Sequence, residues 1–125
     1  MRIAITLAAT LALAAAPVLA APSLRSVMHS WAGHARTIEF MLNGRTAYNE
    51  AAIRAALQDY AAKAGAVAAR VNGRTASAQN FKRRLIAFQA DAQSALGAVP
   101  QRPALKTAAS RLFADCQSCH NVFRN

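Results

Sequence analysis

Three features of the sequence predict an all-α fold, an up-down-up-down antiparallel four-helix bundle, for residues 21–125. Apolar residues recur at i, i+3 and i+4 through four separate segments, and no stretch alternates with period two. Val and Ile never cluster as they do in strands. The segments have similar lengths and are joined by fairly short connections rich in Asn, Gly and Pro, which makes successive helices antiparallel neighbours.

The first segment carries Leu24, Val27, Met28, Trp31, Ala35, Ile38, Met41 and Leu42 on one face, and Ser23 is placed to cap it. Ile53, Ala56, Leu57, Tyr60, Ala64, Val67, Ala68 and Val71 repeat the pattern in the second. The third has Phe81, Leu85, Phe88, Ala92 and Leu96; the fourth has Leu105, Ala108, Leu112, Cys116, Cys119, His120 and Phe123. The pentapeptide Asn-Gly-Arg-Thr-Ala occurs twice, at 43–47 and 72–76. At each site Asn-Gly suits a left-handed helix end, and the threonine is a candidate cap for the next helix. The repeat reads as two similar turns rather than a duplicated unit. Gly97 is expected to stop the third helix, with Pro100 and Pro103 preventing its continuation and Pro103 in the first turn of the fourth. In this topology the end of the fourth helix is level with the start of the first.

Residues 1–20 read as a secretory signal peptide. Arg2 forms a positive n-region, residues 3–16 are uncharged and apolar, Pro17 breaks the helix, and Val18-Leu19-Ala20 offers a small-residue cleavage site. Residues 3–16 are too few to cross a hydrocarbon core that needs roughly 20 residues. The Ala-rich leader implies a bacterial periplasm, and no later stretch is long and apolar enough to span a membrane, so a soluble product is expected. Cleavage leaves residues 21–125 as one domain, of which 25 are alanine. Alanine favours helix but fills little core, and a chain this short buries only about 60–65% of its unfolded surface. Such a bundle gains from a large apolar body at its centre.

The 125-residue chain has a net charge of +10. Without Arg2, 14 Lys+Arg stand against 5 Asp+Glu. No aromatic-basic or zinc-finger pattern accompanies this charge, so it is not read as a nucleic-acid footprint. Two readings remain, a solvated positive surface and steering toward an acidic partner protein.

Cys116-Gln117-Ser118-Cys119-His120 is the arrangement for covalent attachment of a c-type haem. Two cysteines three apart lie on one side of a helix and can form thioethers with the two vinyl groups of one porphyrin. The adjacent His120 then offers its imidazole to the iron. A thiol-disulfide oxidoreductase normally sets Cys-x-x-Cys beside a βαβ unit, which is absent from the pattern. A zinc site wants four ligands, and His29 and His34 lack the spacing of a ligand pair. A disulfide across two residues would staple almost nothing.

Four residues are candidates for the opposite side of the iron: Met28, His29, His34 and Met41. Met28 is on the apolar stripe at the level of the motif. His29 is turned about 100° from it, His34 is roughly 9 Å further along, and Met41 is about 20 Å away. Both histidines are expected at the surface and Met41 in the far core. A methionine on an apolar stripe is ordinarily core; a haem at its level favours a thioether ligand instead.

The tail Cys-Gln-Ser-Cys-His-Asn-Val-Phe-Arg resembles that of the class II c-type cytochromes, the cytochrome c′ and cytochrome c-556 family. These are four-helix bundles with Cys-x-x-Cys-His near the C-terminus, followed by an aromatic and a basic residue, here Phe123 and Arg124. The first-segment region, Val27 to Gly44 followed by Ala47 to Ile53, is similar to the low-spin c-556 branch, in which a methionine completes the coordination. The resemblance implies Met28 in that role and Arg124 near the haem, beside a propionate or against the proximal face. The family often has an arginine one turn before the methionine; this chain has Leu24 there and Arg25 one place later. The implied function is single-electron transfer by a periplasmic cytochrome with His120 and Met28 as axial ligands, and not enzymatic catalysis. One alternative is a five-coordinate cytochrome c′ that binds nitric oxide or carbon monoxide; the other is a haem-free thiol-disulfide module. Trp31 or Phe40 could face a second copy in a homodimer, although nothing in the sequence requires one.

Overall fold

The computed structural model describes residues 22–124, so the signal peptide expected at residues 1–20 lies outside the described residues. The described chain forms four helices: α1 Leu24–Leu42, α2 Glu50–Arg70, α3 Ala76–Ala98 and α4 Arg102–Phe123. No strand occurs among the described residues.

The helix ends follow local chemistry. Ser23 accepts the amide of Ser26 and starts α1. Gly44, at φ 73°, ends it, with the Arg45 amide bonded to the Phe40 carbonyl and the Gly44 amide to that of Met41. This paired closure satisfies carbonyls that the last turn leaves open, and φ is positive where only glycine is unstrained. The cap of α2 is Asn49, not Thr46 as the sequence suggested: its side chain accepts the Ala52 amide at 3.0 Å. Asn49 stands immediately before the helix, whereas Thr46 is still within the turn.

The second copy of the pentapeptide does a different job. Helix α2 has ended at Arg70 before Asn72 is reached, and Gly73 does not take positive φ. A Cβ at Gly73 would instead come within 2.9 Å of the Ala78 methyl. Here Thr75 does cap the next helix, accepting the Ala78 amide at 3.1 Å. Gly97 does not stop α3, which continues to Ala98. The break comes at Pro100, which has no amide to continue the ladder. Pro103 lies in the first turn of α4 as expected.

Sequential neighbours are antiparallel. At the end of α2, Arg70 donates to the Pro22 carbonyl just before α1. Midway along the bundle, Gln89 of α3 donates to the Ala61 carbonyl of α2. Phe81 near the start of α3 meets Phe123 at the end of α4, with ring centroids 5.3 Å apart. At the centre Trp31, Tyr60 and Phe88 form an aromatic box, with centroid separations of 5.6, 4.9 and 5.2 Å. Around it the core is aliphatic and alanine-rich, and no polar or charged residue is buried among the described residues.

The core is uneven along its length. Val27, Ile38, Leu105 and Leu112 are fully enclosed. Beyond the aromatic box, toward the end carrying residues 116–120, Met28, Cys116, Cys119 and Phe123 are only half-buried. Leu24, assigned to the stripe by its spacing, is 43% exposed. Helices α2, α3 and α4 pack most closely in sequence, and α1 approaches α4 least. Side chains run out at this end before the space between α1 and α4 is filled.

Candidate functional site

Helix α4 carries Cys116, Cys119 and His120 in its last two turns. Helical geometry brings residues three and four apart to one face, and all three line a single cavity of about 190 Å³. Met28 of α1 lines the same cavity, so antiparallel packing has brought together residues about ninety positions apart in the chain. Its remaining walls are mostly apolar, from Trp31, Leu85 and Phe88, with Ala32 and Ala35 leaving room on α1. A second hollow of about 490 Å³ shares Met28, Ala32, Cys119 and His120 with the first and extends to Leu24, Phe81 and Phe123.

Both cysteines are free thiols and half-buried. Burial pushes the Cys116 thiol up to about 11, helped by the charges of Asp115 and Cys119. It also raises that of Cys119, against the opposing pull of Arg84. Such thiols carry little thiolate at neutral pH. His120 is exposed, so its imidazole is accessible on the flank of α4. Arg124 follows the last turn, where its amide bonds to the His120 carbonyl at 3.0 Å. It lines the second hollow beside Cys119 and His120, and also a more open one with Phe113, Cys116 and His120. Its backbone is therefore tied to the motif.

The other candidates for the opposite side separate clearly. Met41 packs against the core at the far end, as expected. His29 is exposed and reaches only the rim of the second hollow. His34 is not a surface residue: it is half-buried, with Nε2 3.0 Å from Asp59 Oδ2 and its ring edge-on to Tyr60. Helix α2 covers that flank of α1, and Asp59, itself paired with Lys63 at 2.9 Å, supplies an acceptor.

Two further lining residues escaped the sequence reading. Asp115 precedes the motif, and its acidity is reduced to a pKa of about 6 by burial first and then by the neighbouring Asp91 carboxylate, with Arg111 opposing. Arg84 of α3 donates to Asn80 and to the Ser118 hydroxyl, both at 2.8 Å, and lines the cavity beside Cys119. In sequence Arg84 is one of three consecutive cations, with no signal to distinguish it from Lys82 and Arg83.

The donor set fits the attachment chemistry of a c-type haem. Two thiols and an imidazole from one helix face meet a thioether from another around a mostly apolar space. Two buried side-chain atoms, Trp31 Nε1 and Asp115 Oδ2, have no hydrogen-bond partner, and both residues belong to the cavity wall. Comparison with protein-family models, curated proteins and solved structures gave no match to this chain.

Proposed function

We propose that this chain is a class II c-type cytochrome, a periplasmic single-electron carrier without enzymatic activity. The observation that carries the reading is the convergence of Cys116, Cys119, His120 and Met28 on one largely apolar cavity. Cys116 and Cys119 would hold one haem c through two thioethers, with His120 and Met28 as its axial ligands. The haem would supply a one-electron iron couple, with a potential tuned by ligand set, burial and nearby charge.

The residues around it exclude water on the inner side and leave an open flank. Trp31, Leu85 and Phe88 close the cavity toward the core, while the half-filled end formed by Leu24, Phe81 and Phe123 remains accessible. That end also carries Arg25, Arg70, Arg74, Lys82, Arg83, Arg84 and Arg124, none in a salt bridge among the described residues. Glu39 and Glu50 stand at the opposite end, and Asp59, Asp91 and Asp115 midway along their helices. This distribution supports docking of an acidic redox protein at the motif end. No helix among the described residues is long and apolar enough to cross a membrane.

The two alternatives are separable. If Met28 does not ligate, the iron is five-coordinate and the protein binds nitric oxide or carbon monoxide. A thiol-disulfide module is disfavoured because the Cys116 thiol is raised to about 11, opposite to the lowered values of reactive Cys-x-x-Cys pairs. Visible spectra of the exported protein, oxidised and reduced, with and without carbon monoxide, test all three. A low-spin spectrum with the far-red band of methionine on ferric iron, unchanged by the gas, is expected. A high-spin spectrum that shifts with carbon monoxide would make it a gas-binding cytochrome c′. A colourless protein with two titratable thiols would end the haem reading.

A further inference from the structure

The Arg84 guanidinium is held in place by two neutral side chains, one of which belongs to the motif. Its Nε donates to Asn80 Oδ1 one turn earlier on α3, and its Nη1 donates to Ser118 Oγ on α4, both at 2.8 Å. Ser118 lies between the two cysteines, so the guanidinium is tied to the motif itself. The side chain is half-buried and lines the mostly apolar cavity. No carboxylate stands within 4.0 Å of it among the described residues.

Arginine presents five N–H donors in a rigid fork suited to carboxylates. The two bonds to Asn80 and Ser118 use two of them and fix the fork's orientation. A half-desolvated guanidinium with spare donors and no counter-ion is costly in an apolar wall. It is explained if the occupant of the cavity brings an anion.

We infer that Arg84, aligned by Asn80 and Ser118, anchors a carboxylate carried by the ligand of this cavity. The inference rests on the haem reading, under which that carboxylate is a haem propionate. Arg84 is then a positioning residue: it sets how the ligand sits between α3 and α4 and keeps its carboxylate ionised. The titratable groups facing this region are Asp115, Cys116, Cys119 and His120 from α4; α1 contributes only Met28, Trp31, Ala32 and Ala35, and α2 contributes none.

The test compares midpoint potential against pH for the holo-protein and its Arg84→Gln and Arg84→Lys variants. Haem staining on a denaturing gel is read first. Absence of covalent haem in the unaltered protein sinks the haem reading and this inference with it. With haem attached, a carboxylate paired to Arg84 stays ionised to low pH. Arg84→Gln should therefore acquire an additional segment in which the potential rises as pH falls, and Arg84→Lys, which keeps the charge but loses the fork, should show that segment with its onset between those of the unaltered protein and Arg84→Gln. Asp115 contributes its own step equally to all three proteins, so the difference between profiles is the readout. Three parallel profiles would overturn the anchoring role while leaving the haem reading intact. If Arg84→Gln fails to accumulate, Arg84→Lys decides alone. Loss of the fork should move the onset of the rise to higher pH, and an unshifted onset counts against the inference.

Discussion

The phenolic hydroxyl of Tyr60, buried at the centre of the bundle, donates to the backbone carbonyl of Trp31 at 2.9 Å. This bond links α2 to α1, the helix that packs least closely, and fixes the indole that forms the inner wall of the cavity. Burial raises the Tyr60 hydroxyl well above its ordinary acidity range, so it remains a donor. Tyr60→Phe keeps the ring in the aromatic box and removes only the bond. It should cost about 1 kcal/mol in denaturant unfolding, with the haem spectrum changing little. A loss of several kcal/mol would mean that the bond organises more of α1 than this geometry implies.

Met28→Ala separates ligand from core. The side chain is half-buried, so truncation should cost about 1–2 kcal/mol, below the range for a fully enclosed methionine. The spectral effect should be far larger: loss of the far-red band and new binding of carbon monoxide to the reduced protein. An unaltered spectrum in this variant would assign Met28 to packing alone.

Asp115 gives the fold a pH dependence of definite sign. Its folded pKa of about 6 lies above the ordinary value of 3.8, so the folded state holds the proton more tightly than the unfolded one. Stability therefore falls as pH rises between about 4 and 6, and this contribution is flat above that window. Asp115→Asn should remove that slope and raise the melting temperature above pH 6. Identical stability profiles for the two proteins would argue that burial does not raise the Asp115 carboxyl as described.

Charge at the motif end should govern encounter. Oxidation of the reduced protein by anionic ferricyanide should slow as ionic strength rises from about 0.01 to 1 M, because the screening length falls from roughly 30 to 3 Å. Lys82→Glu with Arg83→Glu should slow it at low salt, whereas Arg36→Glu with Lys106→Glu at the other end should do so much less. Equal effects from the two pairs would place the response in net charge rather than in one face.

Much of this architecture was legible because local rules act alone in a helical bundle. The i, i+3, i+4 stripes marked all four helices, and Ser23, Thr75 and Pro103 marked three of their starts. The same rules failed where position relative to a neighbour mattered. Thr46 lost the cap to Asn49, which lies next to the helix it serves. Gly97 stayed inside α3 because a glycine only weakens a helix, while Pro100, also marked in the sequence, prevents its continuation. His34 was placed at the surface because no single-helix pattern announces that Asp59 of α2 will lie 3.0 Å away.

The sequence by itself determined the helices and the Cys116, Cys119, His120 motif, because capping, periodicity and a three-residue spacing are properties of contiguous residues. The tertiary structure decided which side chains meet that motif: Met28 from α1, and Arg84 from α3, aligned by Ser118. Those juxtapositions depend on the register in which antiparallel helices pack, and register is a property of how side chains from separate helices, such as Trp31, Tyr60 and Phe88 at the centre, fit together.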